Sequence, residues 1–382
     1  MTALEVSLED GRYHRQELIS WWDQSRLRAA RVLVVGAGAL GNEIVKNLAL
    51  LGIGSIEVVD MDRVEHSNLA RCVLFTDEDR GRFKAEVVAE RAANLNPDVR
   101  AVAHTVRVER LGLGYLRHFD LVVAGLDNRE ARLWVGTSCR KLGLTWIDGA
   151  IEGLRGLVRV FPPTGACYEC TLGEADRKIL SNRRSCALLS VEQMETGHVP
   201  TNATTASVIA AIQVQEAVKL LVGREDLVAL FNRAFQYTGD VMDTYTIDYV
   251  EDEYCLSHDH YTDVVALDVD TTATAQEVLS LVAAAGTEAV LGFEDDLIVS
   301  GSCQECGCSV DLLRFRSALG PGSGECSCGA PLTLEAVRTM AADDAVAAIP
   351  LHSWDPALEE LVTVRTPTGR RHIALHFEGP SA

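Results

Sequence analysis

The sequence predicts an α/β protein in which a doubly wound sheet is followed by a smaller α+β domain. An apolar run over 32–35 breaks into a Gly-x-Gly-x-x-Gly motif over 36–41, and a second apolar run over 56–59 ends at Asp60. This succession of strand, glycine turn, helix and acid-terminated strand is typical of a nucleotide site, because glycines let the backbone approach phosphate while the acid meets the ribose. A Rossmann-like fold is therefore expected for the first domain.

The other elements of this domain follow from apolar patterning and stop signals. An amphipathic helix is predicted over about 12–30, ahead of the first strand. The further predictions, in chain order, are a helix over 84–94 with Pro97 as its stop signal, strands over 119–124, 144–148 and 156–161, and a mostly apolar helix over 203–221. Since open α/β sheets bind ligands at the carboxyl ends of their strands, Asp60 and Asp127 should face one crevice.

Residues 261–382 are predicted to form the second, smaller α+β domain, and residues 10–260 the first. Apolar alternation over 264–269 and 297–299 indicates strands, and 274–284 indicates a helix. A Gly-rich stretch over 320–324 is typical of a flexible tip.

Composition excludes several classes of protein. The net charge of −20 argues against a general nucleic-acid surface, which needs a basic patch. Apolar runs are too short for a membrane span, and the acidic start of the chain is unlike a signal peptide, so we expect a cytoplasmic protein that binds neither nucleic acid nor membrane. In that compartment the eleven cysteines are expected to be metal ligands, a reactive thiol and core residues rather than disulfides.

Two cations and an acid accompany the glycine motif. Arg71 and Lys84 offer charge that offsets phosphate, and Asp127 offers oxygen ligands for Mg²⁺. Taken singly, such residues are usually solvated surface groups, and the glycine motif alone would suit NAD. Taken together, they favour nucleoside triphosphate chemistry.

The cysteines fall into two sets with metal-ligand spacing. Cys167 and Cys170 form half of a tetrahedral zinc site. The second set has two halves about twenty residues apart, each ending in Cys-Gly as in the knuckles of a zinc ribbon, and consists of Cys303, Cys306, Cys326 and Cys328. Cys308 is a spare that would replace one ligand. A closed structural site of this kind suits a small domain that recognises a partner protein.

Taken in order, these motifs resemble the E1-like superfamily, which comprises the ubiquitin-activating enzymes and the bacterial MoeB/ThiF sulfur-carrier activators. The resemblance covers roughly residues 10–260. Its stretches are RYHRQ over 12–16, VVGAGALG over 34–41, VDMD over 59–62, NLAR over 68–71, Lys84, Asp127-Asn128, Arg132, GACYEC over 165–170 and SCA over 185–187.

The resemblance implies a binding mode for ATP and Mg²⁺. The residues expected around ATP are Gly36, Gly38, Gly41, Asp60 on the ribose, Asn68, Arg71 and Lys84 on the phosphates, Asp127 through Mg²⁺, and Asn128. Asp62 either contacts the ribose edge or caps a helix. Arg15 would reach into the ATP site of a partner subunit, which implies a homodimer. Cys72 departs from the pattern, because the family usually has glutamine there.

The resemblance also bears on the cysteines. The family completes its zinc site with a second Cys-x-x-Cys, and here the candidate is Cys255 with His258, or with His260 in its place. Cys186 follows two arginines whose charge favours a thiolate. It occupies the position of the thioester cysteine of the eukaryotic-type enzymes, but sulfur-carrier activators have a cysteine in a similar context. A buried structural cysteine is the third alternative.

The implied reaction is attack of a C-terminal glycine carboxylate on the α-phosphate of ATP, giving an acyl-adenylate and pyrophosphate. The leading hypothesis is an E1-like adenylyltransferase that activates a ubiquitin-like protein and captures it as a thioester on Cys186 for an E2-like partner. The alternative is activation of a sulfur-carrier protein for cofactor biosynthesis or tRNA thiolation. A third hypothesis is an NAD-binding oxidoreductase or a non-catalytic nucleotide sensor.

Overall fold

Two β-sheets organise the protein, for which a computed structural model describes residues 11–173, 200–262, 264–267, 269, 272–283, 288–320, 322–357 and 359–376. The first sheet contains β1 (Arg31–Val35), β2 (Ser55–Val59), β3 (Arg100–His104), β4 (Leu121–Ala124), β5 (Trp146–Glu152), β6 (Arg155–Phe161), β7 (Arg233–Thr238) and β8 (Asp243–Asp248). Their spatial order is β3-β2-β1-β4-β5-β6-β7-β8. Neighbours from β3 to β5 are parallel, and β5 to β8 are antiparallel.

The chain changes direction across this sheet between β1 and β4. It runs outward from β1 to β3 and then crosses back to place β4 on the other side of β1. Such a switch point leaves a crevice outside the carboxyl ends of the two strands, which is where ligands bind in folds of this type. The glycine motif follows β1 directly, and Asp127 follows β4 after two residues.

Helices cover both faces of the first sheet. They are α1 (His14–Glu17), α2 (Gln24–Ala29), α3 (Ala39–Leu51), α4 (Lys84–Leu95), α5 (Gly112–Leu116), α6 (Arg129–Leu142) and α7 (Ala203–Leu221). Along β1, Val32 and Val34 join a core with α3, α4 and α7, whereas Leu33 and Val35 join a second core with α5 and α6. Alternate residues of the central strand are thus buried on opposite faces, which explains its continuous apolar run. The expected Rossmann-like fold is confirmed.

The single helix predicted over 12–30 was wrong. Two short helices, α1 and α2, replace it, and the chain turns between them. The turn has a clear cause, because the Asp23 carboxylate accepts hydrogen bonds from the backbone N–H groups of Ser25, at 3.0 Å, and Arg26, at 3.2 Å. An aspartate in that role is a helix N-cap, so a new helix begins after it.

The second sheet belongs to the C-terminal part of the chain. Its strands are β9 (Val265–Leu267), β10 (Val290–Cys303), β11 (Ser309–Phe315), β12 (Leu332–Ala341), β13 (Glu359–Thr366) and β14 (Gly369–His376), accompanied by the helix α8 (Ala275–Val282). The order is β11-β10-β13-β14-β9, with β12 also paired to β10. Phe293, Phe315 and the fully buried Trp354 pack together in its core. The expected small α+β unit is present, and the domain boundary at 260/261 stays a prediction.

The two sheet units contact each other through α5 and α6. A methyl group added at Gly112 or Gly114 would overlap Glu359 of β13, so only glycine permits this approach. His118 Nε2 lies 2.8 Å from Glu359 Oε2, and Lys141 Nζ lies 2.5 Å from Glu294 Oε2. Within the described residues, no helix is both long and apolar enough to cross a bilayer.

Glu360, the neighbour of Glu359, supplies a test of this packing through pH. Burial, together with the charges of Asp295 and Glu294, raises the pKa of Glu360 from 4.5 to about 7, although its Oε1 accepts a hydrogen bond from Ala357 N–H at 2.8 Å. Between pH 4.5 and about pH 7, Glu360 is protonated in the folded state and ionised in the unfolded state. The stability that this group contributes therefore falls as pH rises through that range.

Glu360→Gln keeps an acceptor for Ala357 and removes the buried charge. We expect it to raise the free energy of unfolding by about 1–3 kcal/mol at pH 8 and to have no effect near pH 4. Urea unfolding across this pH range measures the difference, with the exposed residue in Glu335→Gln as the matched control. Equal effects at both pH values would contradict the assignment.

Candidate functional site

The glycine turn after β1 is built by close backbone packing. A methyl group at Gly36, whose φ is +95°, would lie 2.7 Å from the carbonyl oxygen of Gly125 at the end of β4, and one at Gly41 would overlap the carbonyl oxygen of Gly36. Gly38 differs, because nothing lies within 4 Å of that position. It is also the N-cap of α3. The turn therefore has one open side, at a helix N-terminus, where an anionic phosphate group is favoured.

Asp60 anchors this turn. Its Oδ2 accepts a hydrogen bond from the Ala37 N–H at 2.7 Å, and its Oδ1 accepts one from the Asp62 N–H at 2.8 Å. Burial raises the pKa of the Asp60 carboxyl, against the opposing charge of Lys84. The acid thus ties β2 to the first turn of the glycine motif, in addition to the ribose role that the sequence suggests.

Lys84 lies at the start of α4 and points at two acids. Its Nζ is 2.9 Å from Asp62 Oδ2. Burial alone would lower the pKa of Lys84, but the charges of Asp60 and Asp62 outweigh it and hold that pKa above its usual value. Asp62 therefore pairs with a lysine instead of capping a helix. The lysine stays charged and only partly buried, as a phosphate-binding cation must be.

The segment between β2 and α4 contains the next three candidates. Asn68 is buried, and its Oδ1 accepts a hydrogen bond from the Glu65 N–H at 3.0 Å, which closes a capping box. Arg71 is half-buried and donates to Ser67 O at 2.7 Å. Cys72 is buried, and burial raises the pKa of its thiol to about 11. In this conformation Asn68 has a structural partner, and its nucleotide contact stays a prediction.

Asp127 and Asn128 follow β4 and are both exposed. Asn128 is the N-cap of α6, since its Oδ1 accepts a hydrogen bond from the Ala131 N–H at 2.7 Å. Arg132, one turn along, donates to the carbonyl oxygens of Leu126 and Gly149. The turn that carries Asp127 is thereby fixed to the middle of β5.

A buried triad that sequence reasoning missed holds Arg132 in place. Asp148 is fully buried, and its Oδ1 accepts a hydrogen bond from Arg132 Nε at 2.9 Å. Its Oδ2 accepts one from Arg159 Nε at 3.0 Å. Both arginines are themselves buried. The only signal in the sequence was a polar residue within a strand-like apolar run, Trp146-Ile147-Asp148.

Two predicted residues stand apart from these groups. Arg15 is exposed on α1, and its role in a partner subunit stays a prediction. Cys186 lies outside the described residues, so its role as a thioester cysteine also stays a prediction.

The first set of cysteines converges with a histidine. The ligand atoms of Cys167, Cys170, Cys255 and His258 all lie within 4.8 Å of one another. Cys167 Sγ is 3.7 Å from Cys170 Sγ and 3.6 Å from Cys255 Sγ, and His258 Nε2 is 3.2 Å from Cys170 Sγ. His258 and not His260 enters the group. Three thiols and one imidazole form a donor set that suits tetrahedral Zn²⁺.

Outer contacts orient this group. His258 Nδ1 lies 3.3 Å from Glu251 Oε1, and the same oxygen accepts a hydrogen bond from Arg140 Nη2 at 3.0 Å. Arg140 also donates to the carbonyl oxygen of Gly165 at 2.9 Å. A carboxylate behind the imidazole fixes which ring nitrogen faces the thiols. The arginine joins both halves of the group to α6.

The second set differs in one member from the expectation. Four thiols lie within 4.8 Å of one another, namely Cys303, Cys306, Cys308 and Cys326. Cys308 thus takes the place expected for Cys328. Cys328 remains nearby, with its Sγ 3.6 Å from that of Cys303.

The fold defines a Rossmann-like α/β domain followed by a smaller sheet unit, each with a cysteine-rich cluster, and comparison with known proteins identifies the family. A profile of the ThiF family matches residues 13–256, and the chain belongs to that family. The sulfur carrier protein adenylyltransferase of Thermus thermophilus is 44% identical over 169 residues, which cover 42% of this chain and 62% of that protein. The SAMP-activating enzyme E1 of Haloferax volcanii is 35% identical over 239 residues, which cover 61% of this chain and 81% of that protein.

A eukaryotic relative and a solved structure extend the comparison. The NEDD8-activating enzyme E1 catalytic subunit of Caenorhabditis elegans is 39% identical over 160 residues, which cover 38% of this chain and 37% of that protein. A crystal structure of E. coli MccB with ATP has a TM-score of 0.55 at 23% identity and covers 66% of this chain and 75% of that one. At 23% identity, the similarity to MccB shows a shared fold.

Substitution of Asp148 tests the triad. Asp148→Asn keeps the shape of the side chain but leaves two buried guanidinium groups without their shared anion. We expect a loss of about 3–5 kcal/mol in the free energy of unfolding, measured by urea denaturation, because an uncompensated buried charge is costly.

The matched control is Asp226→Asn, which breaks the exposed pair with Arg224 (2.7 Å) and should cost less than about 1 kcal/mol. A loss of less than about 1 kcal/mol in Asp148→Asn would show that the triad does not stabilise the contact of α6 with β5 and β6.

Proposed function

We propose that this chain is an E1-like adenylyltransferase that activates the C-terminal glycine of a ubiquitin-like protein with ATP. One carboxylate oxygen attacks the α-phosphorus, the bond to the pyrophosphate oxygen breaks, and an acyl-adenylate and pyrophosphate result. No protein nucleophile is needed in this step, because positioning and charge neutralisation lower the barrier.

One observation carries the proposal, namely the group of residues at the carboxyl ends of β1, β2 and β4. Gly38 leaves open space at the N-terminus of α3, Asp60 anchors the turn, and Lys84 is held beside it by Asp62. Arg71 comes from the adjoining segment. An open helix N-terminus beside the ordered side chain of Lys84 supports binding of a triphosphate at this place. The chain's membership of the ThiF family supports the same reaction.

Mg²⁺ and Zn²⁺ complete the proposal. The exposed carboxylate of Asp127 would hold Mg²⁺, which prefers oxygen ligands and would offset the negative charge of the phosphates. The three thiols and the imidazole around Cys167 fit a structural Zn²⁺, as do the thiols around Cys303. Arg15 would complete the ATP site of a second subunit in a homodimer.

The second step of the proposal is capture on Cys186. Its thiolate would attack the carbonyl carbon of the acyl-adenylate, forming a thioester and releasing AMP, and an E2-like thiol would then take the acyl group by transthioesterification. The NEDD8-activating relatives support this version of the reaction. Such a protein would work in the cytoplasm.

Activation of a sulfur-carrier protein is the second candidate. It is supported by the 44% identity to an enzyme named sulfur carrier protein adenylyltransferase. The adenylation step would be the same, but the terminal sulfur of a persulfide would then attack the acyl carbon and release AMP. A second thiol would cleave the resulting acyl disulfide, forming a disulfide and leaving a thiocarboxylate on the carrier.

The adenylation step is tested by ATP–pyrophosphate exchange with a candidate carrier protein that ends in glycine. We expect Lys84→Ala and Asp127→Ala to lower the exchange rate by about 100- to 1000-fold, because each removes charge stabilisation from the reacting phosphates. Arg224→Ala, which removes an arginine from an exposed pair with Asp226, is the control and should retain the rate. Binding of NAD with no exchange would return the chain to the oxidoreductase or sensor class.

The capture step is tested on non-reducing gels with ATP, Mg²⁺ and the same carrier. We expect a thiol-sensitive adduct that Cys186→Ala abolishes while exchange continues, because adenylation does not need the thiol. The fully buried Cys139, changed to Ala, is the control cysteine. Exchange without any adduct, together with a persulfide-dependent thiocarboxylate on the carrier, would favour sulfur-carrier activation instead.

A further inference from the structure

Five cysteines, one more than a tetrahedral site needs, gather at one end of the β10–β11–β12 sheet. Cys303 ends β10, and Cys306 and Cys308 lie in the turn between β10 and β11. The other two, Cys326 and Cys328, belong to the turn before β12. Zn²⁺ in a structural site takes four such ligands, so one thiol is left over whichever four are used.

Backbone hydrogen bonds shape both turns. In the first, Cys303 N–H donates to Cys308 O at 2.9 Å, and Gly307 N–H donates to Cys303 O at 3.0 Å. In the second, Cys326 N–H donates to Ala330 O, and Gly329 N–H donates to Cys326 O, each at 2.8 Å. Gly307 and Gly329 have φ of +71° and +84°, which favour glycine. The two turns are therefore equivalent loops that present their thiols to a common point.

The thiols divide into three shared and two alternative positions. Cys303, Cys306 and Cys326 occur both in the set expected from the knuckle pattern and in the set whose four Sγ atoms lie within 4.8 Å of one another. The fourth member is Cys328 in the first set and Cys308 in the second. Cys308 Sγ lies 3.1 Å from Cys326 Sγ, while Cys328 Sγ lies 3.6 Å from Cys303 Sγ.

We propose that this cluster binds one Zn²⁺ through three fixed thiolates, Cys303, Cys306 and Cys326, and a fourth that is exchanged between Cys308 and Cys328. Exchange of this kind needs a metal without a ligand-field preference for one arrangement, and Zn²⁺ has none. The displaced thiolate takes up a proton from solvent as the incoming thiol loses one, so charge on the metal site is conserved.

Burial sets two of the three fixed ligands apart from the alternative ones. Cys303 and Cys326 are buried and pack with Leu332, which gives the site a fixed apolar side. Cys328 is exposed and Cys308 is half-buried, so both alternative ligands lie on the side open to solvent, where the fixed ligand Cys306 is also exposed. The proposal rests on zinc binding at this cluster and is independent of the adenylation reaction.

Zinc content of the full-length chain tests the proposal. In a Cys255→Ser background, which removes a ligand of the first cluster, we expect about one zinc per chain from the second cluster. Cys308→Ser and Cys328→Ser should each keep that zinc after dialysis against a chelator, because the other thiol takes the fourth position. The double variant should lose it, as Cys303→Ser should. Loss of zinc in either single variant to the level of Cys303→Ser would overturn the exchange.

Two further measurements separate exchange from misfolding and from the absence of zinc. Co²⁺ substitution should give the same thiolate-to-cobalt charge-transfer intensity in both single variants as in the parent, because four thiolates remain. A step down in intensity in both would overturn the exchange, even if metal is retained. No second-cluster zinc in the parent, while ATP–pyrophosphate exchange is normal, would reject the zinc assignment alone.

Discussion

The site depends on one backbone contact at the switch point of the first sheet. Gly36 after β1 packs against the carbonyl of Gly125 after β4, and Gly41 packs against Gly36. No side chain fits at these positions, so the two strand ends and the start of α3 come together at main-chain distance. Asp127 follows β4 at this contact, and Asp60, at the end of β2, is joined to it by the hydrogen bond that it accepts from the Ala37 N–H. Lys84, at the start of α4, is held nearby by Asp62.

Charge is arranged around that contact in two layers. In the outer layer, Lys84 pairs with Asp62, whose side chain is exposed to solvent. Breaking such a pair costs little free energy, so Lys84 can leave Asp62 to contact a bound phosphate. The inner layer is the buried Asp148 with Arg132 and Arg159. These charges must be paired, because an unpaired charge away from water is strongly destabilising. The outer layer suits binding, and the inner layer suits a fixed geometry for the turn that bears Asp127.

The cysteine clusters have different relations to the sheets. The first joins the loop after β6 to the segment that leads out of β8, and Arg140 and Glu251 fasten it to α6. It therefore lies at the exit from the first sheet, a few residues before the chain enters the second. The second cluster closes the end of a three-stranded part of the second sheet, away from the contacts that Gly112 and Gly114 make with Glu359. Neither cluster includes any of the residues proposed to bind ATP.

Much of this was encoded locally. The glycine motif, Asp60, the helix predicted over 84–94 and the helix predicted over 203–221 were readable because periodicity and turn chemistry act over a few residues. Metal-ligand spacing likewise indicated Cys167 with Cys170, and the knuckle pattern indicated the second cysteine set, whereas Cys255 and His258 came from the family resemblance. Local patterning failed over 12–30, where the single Asp23 cap outweighed an amphipathic run.

Only the tertiary structure decided which distant groups meet. Asp148 is unremarkable in sequence, and its importance comes from two arginines brought to it from α6 and β6. The choice of His258 over His260, and the presence of Cys308 among the four closest thiols, depend on how loops far apart in the chain converge. Sequence therefore determined the elements and the kinds of chemistry, while three-dimensional packing selected the partners, because burial and ligand geometry are properties of residues distant along the chain.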